Sequence, residues 1–538
     1  MAHTAHAGAR RTARQAAMPE AGHAVDMIMA DDTLRAAYLL QFAGNPGAPP
    51  LDEPVAIRFL LWFAVEGRHR YQHVCLSPQH VAFLATPEPP FATRLAAFVH
   101  DRHTGDARFH DDIEAFHAWY YHVGVHQLRL TPLLAARERD FLANQDSARA
   151  QRGAWYLPPP QRDRSHLPGV NIIGAADGVS GIGEDVRALT EALLSAGVQL
   201  SIFNVRYPAE IVTTAQSERE AYFSDRPIYP INVFCLPAFE TARLKLAQGD
   251  NLFAGRYNIG YWPWELTSLP PSWHFVFGLV DEVWASSRFL LDVFQRLTSK
   301  PVLYMPPHVG VPESKPFDRQ SVGLSPADVV FLCMFDFNSY IARKNPVAAI
   351  EAFQAAFTAS DGRERLLIKT INGHANAQSL RDVQQLVAED DRIVLVDGSL
   401  ARDDVCGLLQ DADCYVSLHR SEGFGRILAE AMLLGTPVIA TDWSGSASFL
   451  TRDTGFPVSC SLRQVRSDEY VYADGSTWAE PSISDAARQM RFVRHNRRAV
   501  EAIRVNAART IRQKYGLGAA SSRLSAWLTD FATKGVPR

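Results

Sequence analysis

The chain has no apolar run that approaches the roughly 18 to 20 consecutive residues of a membrane helix. It also lacks a basic excess, since 54 Lys and Arg face 58 Asp and Glu for a net charge of −4, which argues against a nucleic-acid partner. Its six cysteines include no CxxC pair, so reduced thiols in a cytoplasmic protein are favoured. With 538 residues of 47% hydrophobic content, it is long enough for two or three packed domains.

The first residues carry Arg10-Arg11, a pair of the kind found in export signals, but no apolar segment follows it. We therefore expect residues 1–30 to form a disordered tail and the protein to stay in the cytoplasm.

Residues 31–150 have mostly helical patterning, with aromatic-rich pieces at 59–63 and 116–121. His69 and His73 are four residues apart, as zinc ligands on one helix face are. No Cys, Asp or Glu completes a ligand set at a known spacing, so ordinary histidines are the favoured interpretation. We predict a helical accessory module that binds an acceptor, a partner or the rest of the chain, three alternatives that the sequence leaves open.

Residues 151–169 include three consecutive prolines and are predicted to be an extended linker. Beyond it, the buried-strand run 170–174, the glycine loop and helix start 178–187 and the strand 200–203 predict a βαβ unit. Glycine loops of this kind occur in many dinucleotide-binding folds. Here Asn204, and no acid, closes the second strand, so an NAD fingerprint is not supported.

A glycine turn between a strand and a helix is the most informative stretch of the chain. The apolar run 414–418 predicts a central strand, and Gly423 and Gly425 then bracket Phe424. A helix is predicted from about Arg426, because apolar residues follow with helical period. We expect positive φ at both glycines and free helix-terminal amides at the mouth of the sheet, where a phosphate would be held.

Two carboxylates flank that turn. Glu422 lies in the turn and Glu430 just over two helical turns later, which keeps both on the ligand side. Carboxylates next to a diphosphate suit sugar hydroxyls, which donate hydrogen bonds to them. The alternative is a solvated helix face with an acid near its N-terminus. The order of turn, glycines, helix and both acids favours a site.

This Glu-x7-Glu order, with the continuation 436–446, resembles the donor-sugar site of family 4 retaining glycosyltransferases of the GT-B fold. The resemblance implies that Glu422 meets the transferred sugar, that Glu430 meets the ribose of the nucleotide and that the amides of 423–425 meet the diphosphate. The family's usual glycine pair after the next strand is replaced by Ser444-Gly445-Ser446. The donor-binding residues implied in this way are Glu430, Gly423, Phe424, Gly425, Arg426, Gly181 and Gly183.

Arg343 and Lys344 lie at the entry to a helix predicted over 347–357. Two cations there would offset a diphosphate and the charge that grows on it as the sugar leaves. The family carries an Arg and a Lys in this loop for that purpose, and the alternative is a solvated basic pair. By resemblance the catalytic residues are Glu422, Arg343 and Lys344. Glu265 joins them from its place at the end of a predicted strand, where many family members have a histidine instead.

The segment 256–265 reads as a strand ending in an aromatic corner, which the resemblance puts at the cleft. Tyr261, Trp262 and Trp264 are the predicted acceptor-binding residues, because aromatic faces suit sugar rings. Glu265 is expected to bind an acceptor hydroxyl or help remove its proton. The alternative for the tryptophans is core packing.

Asp411-Ala-Asp413 mimics a metal motif of another glycosyltransferase fold, but Asp413 ends a helix and is interpreted as a cap or turn residue. We therefore expect no metal and no cofactor. Arg488, Arg491, Arg494 and Arg498 recur at near-helical spacing in a helix predicted over 484–504. They form either a solvated face, which is the commoner case, or a contact with an anionic membrane surface.

The resemblance implies an α/β fold of the GT-B type, with two Rossmann-like domains facing a cleft, and the helical patterning adds a mainly helical N-terminal module. By the same resemblance, residues 170–310 are expected to form the acceptor domain, 311–505 the nucleotide-sugar donor domain, and 506–538 helices that return to the first domain.

The resemblance implies a metal-independent, retaining transfer of a sugar from a nucleotide sugar to a saccharide or lipid-linked hydroxyl acceptor, in surface polysaccharide or lipid-linked oligosaccharide biosynthesis. The protein would be cytoplasmic, with peripheral contact at the inner face of the membrane as one possibility. The alternatives are a non-catalytic scaffold of this fold in a polysaccharide assembly complex, or a nucleotide-sugar epimerase.

Overall fold

The computed structural model describes residues 23–42, 51–103, 113–136, 138–139, 169–178, 180–206, 221–312, 314–358, 362–473 and 475–534. The chain divides into two compact units, one of Met1–Tyr38 with Pro49–Leu157 and one of Leu39–Ala48 with Pro158–Arg538.

The first unit is helical, and the expectation of a helical N-terminal region is confirmed. Its helices are α1 (Ala24–Ala30), α2 (Asp32–Phe42, which runs past the unit boundary), α3 (Glu53–Trp62), α4 (Arg68–Arg70), α5 (Pro78–Leu84), α6 (Arg94–His103), α7 (Ile113–Trp119) and α8 (Val125–Gln127). Phe116 and Tyr120 are fully buried and stack with ring centroids 5.5 Å apart, so the aromatic-rich pieces form part of this unit's core.

Helix α1 lies in the stretch that was expected to be disordered. Ala24 and Ile28 are fully buried, and the Ala24 amide donates a 2.6 Å hydrogen bond to Glu53 Oε1. Burial of this apolar face explains why the prediction of a tail is wrong for residues 24–30. Residues 1–22 of that tail and residues 151–168 of the predicted linker lie outside the described residues.

Within the described ranges, no three His, Cys, Asp or Glu side chains are placed to hold a metal ion together. His69 lies on α4 and His73 follows it without a partner set of that kind. None of the described helices has both the length and the apolar character needed to cross a membrane.

The second unit contains two sheets of six parallel strands. The strands of the first sheet are β1 (Gly169–Gly174), β2 (Gln199–Asn204), β3 (Ile231–Phe234), β4 (Tyr257–Tyr261), β5 (Glu282–Ala285) and β6 (Val302–Tyr304). Those of the second are β7 (Val329–Asp336), β8 (Glu364–Ile371), β9 (Ile393–Asp397), β10 (Cys414–Ser417), β11 (Val438–Thr441) and β12 (Phe456–Val458). The spatial orders are β2-β1-β3-β4-β5-β6 and β12-β11-β10-β7-β8-β9. These doubly wound halves confirm the predicted two Rossmann-like domains.

Helices cover both sheets, which is why the strands read as nearly continuous apolar runs. The first half carries α9 (Gly181–Ser195), α10 (Ala238–Gln248) and α11 (Arg288–Leu297). The second half carries α12 (Ile341–Lys344), α13 (Pro346–Ala356), α14 (Ala377–Val387), α15 (Arg402–Asp411), α16 (Arg426–Leu434) and α17 (Ile483–His495). Two strands, β13 (Cys460–Gln464) and β14 (Thr477–Pro481), form a separate antiparallel hairpin before α17.

The single helix predicted over 484–504 is two helices, α17 and α18 (Arg497–Tyr515). Asn496 separates them with φ −116° and ψ 51°, and its side-chain amide donates to the Phe492 carbonyl at 3.0 Å. The prediction missed this break because helical periodicity continues across an Asn that competes for backbone hydrogen bonds.

The arginine stripe is largely engaged with the protein itself. Arg494 Nε lies 2.6 Å from Glu364 Oε1, Arg491 donates to the Ala355 carbonyl at 2.8 Å, and Arg488 pairs with Asp485. Asp411 and Asp413 are also structural, since Asp411 pairs with Arg319 at 2.6 Å and Asp413 accepts the Val330 amide at 2.9 Å.

The last helix, α19 (Leu517–Lys534), packs against α9 of the first half. Trp527 is 9% exposed, and its indole N–H donates to Glu282 Oε1 at 2.9 Å. Its ring meets Trp284 edge to face with centroids 5.2 Å apart. Helix α19 therefore completes the core of the first half.

Replacing Trp527 with Ala should lower the free energy of unfolding by about 3–5 kcal/mol, because a large buried ring is lost and a cavity remains. Urea or thermal unfolding measures this loss. Val505→Ala on α18 is the control, since Val505 is 58% exposed and should change stability by less than about 0.5 kcal/mol. Equal effects of the two changes would contradict the docking of α19.

Candidate functional site

A cleft of about 1760 Å³ opens between the two halves of the second unit, at the carboxyl ends of their strands. Most of the predicted site residues line it. They are Gly181, Trp264, Glu265, Arg343, Lys344, Glu422, Gly423, Phe424, Gly425, Arg426 and Glu430.

Two of the predicted acceptor residues do not reach the cleft. Tyr261 is 5% exposed and packs on Trp284, while Trp262 is 1% exposed and donates its indole N–H to Thr241 Oγ1 at 3.0 Å. Tyr261 lies in the core cluster of the first sheet, and the ring of Trp262 contacts Phe277 and Phe294, so both side chains belong to the core. The prediction that they bind an acceptor is therefore wrong, and the alternative of core packing holds for Trp262.

Gly183 also lies away from the cleft lining. Its amide donates to Ser180 Oγ at 3.2 Å, which caps α9. A Cβ at this position would lie 2.3 Å from the Gly178 carbonyl oxygen, so glycine is needed for close packing of the loop on the helix. Gly181, by contrast, lines the cleft at the first turn of α9.

The glycine turn is a close junction between the two halves. Gly425 has φ 91° as expected, but Gly423 is not in the positive-φ region, so that expectation is wrong for Gly423. A Cβ on Gly423 would lie 2.8 Å from the Trp264 carbonyl oxygen of the first half, and one on Gly445 would lie 2.2 Å from the Gly423 carbonyl oxygen. These glycines serve close backbone approach, and no described side chain caps the N-terminus of α16. Its first-turn amides are available to an anion.

Ser444 stands where the resembling family has glycine, and it adopts a conformation that glycine prefers, with φ 67° and ψ −146°. Its hydroxyl accepts the Glu422 amide at 2.8 Å, and the neighbouring Gly445 amide donates to the Glu422 carbonyl at 2.8 Å. Residues 444–446, the serine loop, thus hold the backbone of Glu422 through both its amide and its carbonyl.

Arg343 lies at the centre of the charged part of the cleft. It is 4% exposed, and its guanidinium lies 3.3 Å from Glu422 Oε1 and 3.7 Å from Glu265 Oε1. It also donates to the carbonyls of Ser421 at 3.0 Å and Ser339 at 3.2 Å. One buried cation therefore joins a carboxylate of the first half to one of the second.

Glu422 lies between two cations. Lys344 Nζ is 2.5 Å from its Oε1, on the same oxygen that faces Arg343. Burial alone would raise the pKa of this carboxyl, but Lys344 and Arg343 outweigh it and lower the pKa to about 2. Glu422 is therefore ionised at neutral pH. With Arg343 and Lys344 it forms a cluster of charges beside the N-terminus of α16.

The buried His419 stabilises the backbone on either side of this charged cluster. Burial lowers its pKa to about 4, outweighing the nearby Glu422, so the ring is neutral. Its nitrogens lie 3.0 Å from Ser417 Oγ and 3.2 Å from Ser446 Oγ, which ties the end of β10 to the serine loop.

Glu430 is fully buried and paired with Arg402, whose NH1 lies 3.0 Å from Glu430 Oε2 while NH2 lies 2.5 Å from Oε1. Burial raises the pKa of Glu430, and Arg402 opposes that rise. Arg402 Nε is also 3.6 Å from Glu184 of the first half. Sequence reasoning did not select Arg402, although its place at the start of the helix after β9 marks the cleft edge of the sheet.

Two further contacts between the halves were not predicted from the sequence. Arg426 pairs with Asp185 of α9 and donates to the His308 carbonyl at 3.1 Å, so it links the halves. Tyr470 lies in the loop of the β13–β14 hairpin, and its hydroxyl donates to Glu265 Oε2. No local signal marks Tyr470, because its partner is 205 positions away in the chain.

Residues 328–463 match the family described as Glycosyl transferases group 1. The matched range runs from just before β7 through most of β13, so it contains Arg343, Lys344, Glu422 and Glu430. It spans about a quarter of the chain. No curated protein matches the chain by sequence.

Solved structures of similar fold include sucrose-phosphate synthase from Thermosynechococcus elongatus, with 15% identity, a TM-score of 0.50 and coverage of 68% of this chain and 100% of that one. HepE from Anabaena, solved with UDP and glucose, has 12% identity, a TM-score of 0.44 and coverage of 68% and 100%. The GT-B fold expected from the sequence is confirmed by the two sheets and the first of these structures. With the family match, this supports a glycosyltransferase of the GT-B fold.

Replacing Glu422 with Gln should change how stability depends on pH. The folded pKa lies below the ordinary 4.5, so the stabilisation is present above that value and is lost as pH falls toward 2. Between about pH 7 and about pH 3.5, wild type should lose about 1–2 kcal/mol of unfolding free energy that E422Q does not lose. Chemical unfolding at several pH values measures the difference.

The exposed Glu351→Gln change on α13 is the matched control and should follow wild type. Parallel pH curves for wild type and E422Q would contradict the ion pairing of Glu422 with Lys344 and Arg343.

Proposed function

We propose that the protein transfers a sugar from a nucleotide diphosphate sugar to a hydroxyl acceptor, with retention of anomeric configuration. The observation that carries this is the buried Glu422 held ionised by Arg343 and Lys344 beside the uncapped N-terminus of α16. The family match over the same residues supports it.

The diphosphate would lie on the first-turn amides of α16, with Arg343 and Lys344 beside it. As the bond to the sugar breaks, negative charge grows on the diphosphate, and donors already fixed in place stabilise it without reorganising. These cations take the place of a metal ion, so we propose a metal-independent reaction. The departing diphosphate can itself take the acceptor proton, so a strong protein base is not required.

The ribose would bind at Glu430. A carboxylate has about four lone-pair sites, of which Arg402 occupies two, and hydroxyl donors suit the others. Glu430 is fully buried beneath the Arg402 guanidinium, so ribose binding requires this guanidinium to shift. Glu184 can receive it, because its Oε1 already lies 3.6 Å from Arg402 Nε.

The acceptor would approach from the first half, where Glu265 lies 3.7 Å from the guanidinium that also contacts Glu422. We propose a saccharide or lipid-linked hydroxyl as acceptor, in surface polysaccharide or lipid-linked oligosaccharide synthesis at the cytoplasmic side of a membrane. Arg488 and Arg494 form ion pairs within the protein, so no membrane contact is assigned to them.

A panel of UDP, GDP, dTDP and ADP, tested by thermal shift without added metal and with EDTA, examines the proposal. A nucleotide at about a hundred times its dissociation constant should add about 2.7 kcal/mol to stability, which raises the melting point by a few degrees. Glu430→Ala should abolish the shift because the ribose acceptors are lost. The exposed Glu389→Ala is the matched control and should retain it.

No shift with any of the four nucleotides would overturn the transferase and favour a scaffold without catalysis. A shift that disappears in EDTA would overturn metal independence alone.

Replacing Arg402 with Met should make nucleotide binding more sensitive to acid. Without the guanidinium, burial raises the pKa of Glu430 further, and a protonated carboxyl offers ribose fewer acceptors. The pH at which affinity falls by half should move upward, as measured by calorimetric titration. Arg381→Met on exposed α14 is the control, and an unmoved midpoint in R402M would show that Arg402 does not set the state of Glu430.

A further inference from the structure

The cleft contains an aromatic pair, Tyr340 and Tyr470, that lies next to Glu265. We infer that this pair is a subsite for the sugar ring of a saccharide acceptor, with Glu265 receiving one of the ring's hydroxyls. The inference rests on the proposed function. It assigns the acceptor platform to Tyr340 and Tyr470 in place of Tyr261 and Trp262.

Tyr340 is held in an unusual state for a large aromatic residue. It lines the cleft with 41% of its surface exposed, and its backbone has φ 61° and ψ 104°. Bulky side chains rarely adopt positive φ, and such strain persists only where the surrounding structure holds it, commonly at functional sites. An apolar ring kept in water by a strained backbone has the properties of a binding surface.

Tyr470 supports Tyr340 from beneath. The two ring centroids are 4.5 Å apart at an interplanar angle of 43°. Tyr470 is 7% exposed, meets Trp264 and Trp478 edge to face at 6.1 Å and 6.3 Å, and donates its hydroxyl to Glu265. Because Tyr470 is fixed on these sides, the platform is rigid before a ligand arrives, which limits the entropy lost on binding.

The platform lies at the sugar end of the cleft. Glu265 contacts Tyr470 through Oε2 and lies 3.7 Å from Arg343 through Oε1, and Arg343 in turn lies 3.3 Å from Glu422. One guanidinium therefore separates the platform's carboxylate from the carboxylate proposed to meet the transferred sugar. Glu430, proposed for the ribose, is paired instead with Arg402 after β9. This favours an acceptor ring over a nucleobase as the occupant.

The chemistry of the pair selects a class of acceptor. The C–H face of a pyranose ring packs on an aromatic face, and ring hydroxyls donate to a carboxylate. Glu265 keeps lone pairs on Oε1 for such a donor, since its Arg343 contact there is 3.7 Å long and its side chain is 20% exposed. An acyclic alcohol has no ring face to pack on the exposed Tyr340, so the platform predicts a saccharide acceptor.

The experiment uses the full chain, the nucleotide sugars of whichever nucleotide raises its melting point, and two sets of acceptor probes. One set is methyl pyranosides of mannose, glucose, galactose and N-acetylglucosamine, and the other is glycerol and a serine peptide. Released nucleotide measures transfer. We expect wild type to use at least one pyranoside in preference to the acyclic probes.

Tyr340→Gly removes the ring at a position whose φ glycine tolerates, so the fold is retained. It should raise KM for that pyranoside about tenfold, with a smaller change in kcat. Tyr340→Phe keeps the ring and should stay within about twofold of wild type. The nucleotide-induced melting shift confirms that each variant is folded.

Four results would overturn the inference. Equal effects of Y340G and Y340F on KM would exclude a ring platform, and so would no effect of either. Transfer to the acyclic probes alone, or a wild type that neither uses a pyranoside nor shows binding by saturation-transfer NMR with nucleotide present, would exclude a saccharide acceptor there. A wild type that binds no nucleotide would instead overturn the proposed function, so the two failures are distinguishable.

Discussion

A buried guanidinium between two carboxylates is the interaction on which this structure depends most. Arg343 is 4% exposed and lies near Glu265 of one Rossmann-like half and Glu422 of the other. Removing one partner of a buried charge pair typically costs about 3–5 kcal/mol, because the remaining charge is left without compensation. The same residues thus tie the two halves together and supply the charge pattern that a diphosphate and a sugar would meet, so stability and the proposed chemistry share one cluster.

Close backbone contact around this cluster sets its geometry. Gly423 lies against Trp264 of the first half, and Gly445 lies against Gly423, at separations that leave no room for a Cβ. Ser444 accepts a strained conformation there and holds the Glu422 amide. The two halves are therefore in contact at the glycine turn itself, and a ligand in the cleft would lie against backbone from both.

The central part of the site was accessible to sequence reasoning because it is local. Strand, glycine turn and helix follow one another from Cys414 to Leu434, so Glu422 and Glu430 were placed by helical geometry alone. Tyr261 and Trp262 were misplaced because an aromatic residue at the end of a strand reads the same in sequence whether it faces a cleft or a helix. Tyr470 could not be found, since its contact with Glu265 joins distant segments.

The sequence by itself determined the α/β character, the helical N-terminal region and the glycine turn with its carboxylates, and its family resemblance added the two Rossmann-like halves. Hydrophobic period and turn residues act over a few neighbouring positions, so a short stretch of sequence is enough to predict local features of this kind. Only the tertiary structure decided which charges pair, that Arg402 covers Glu430, and that a hairpin of the second half delivers Tyr470 to Glu265. Those pairings depend on distances between segments far apart in the chain, which no local pattern encodes.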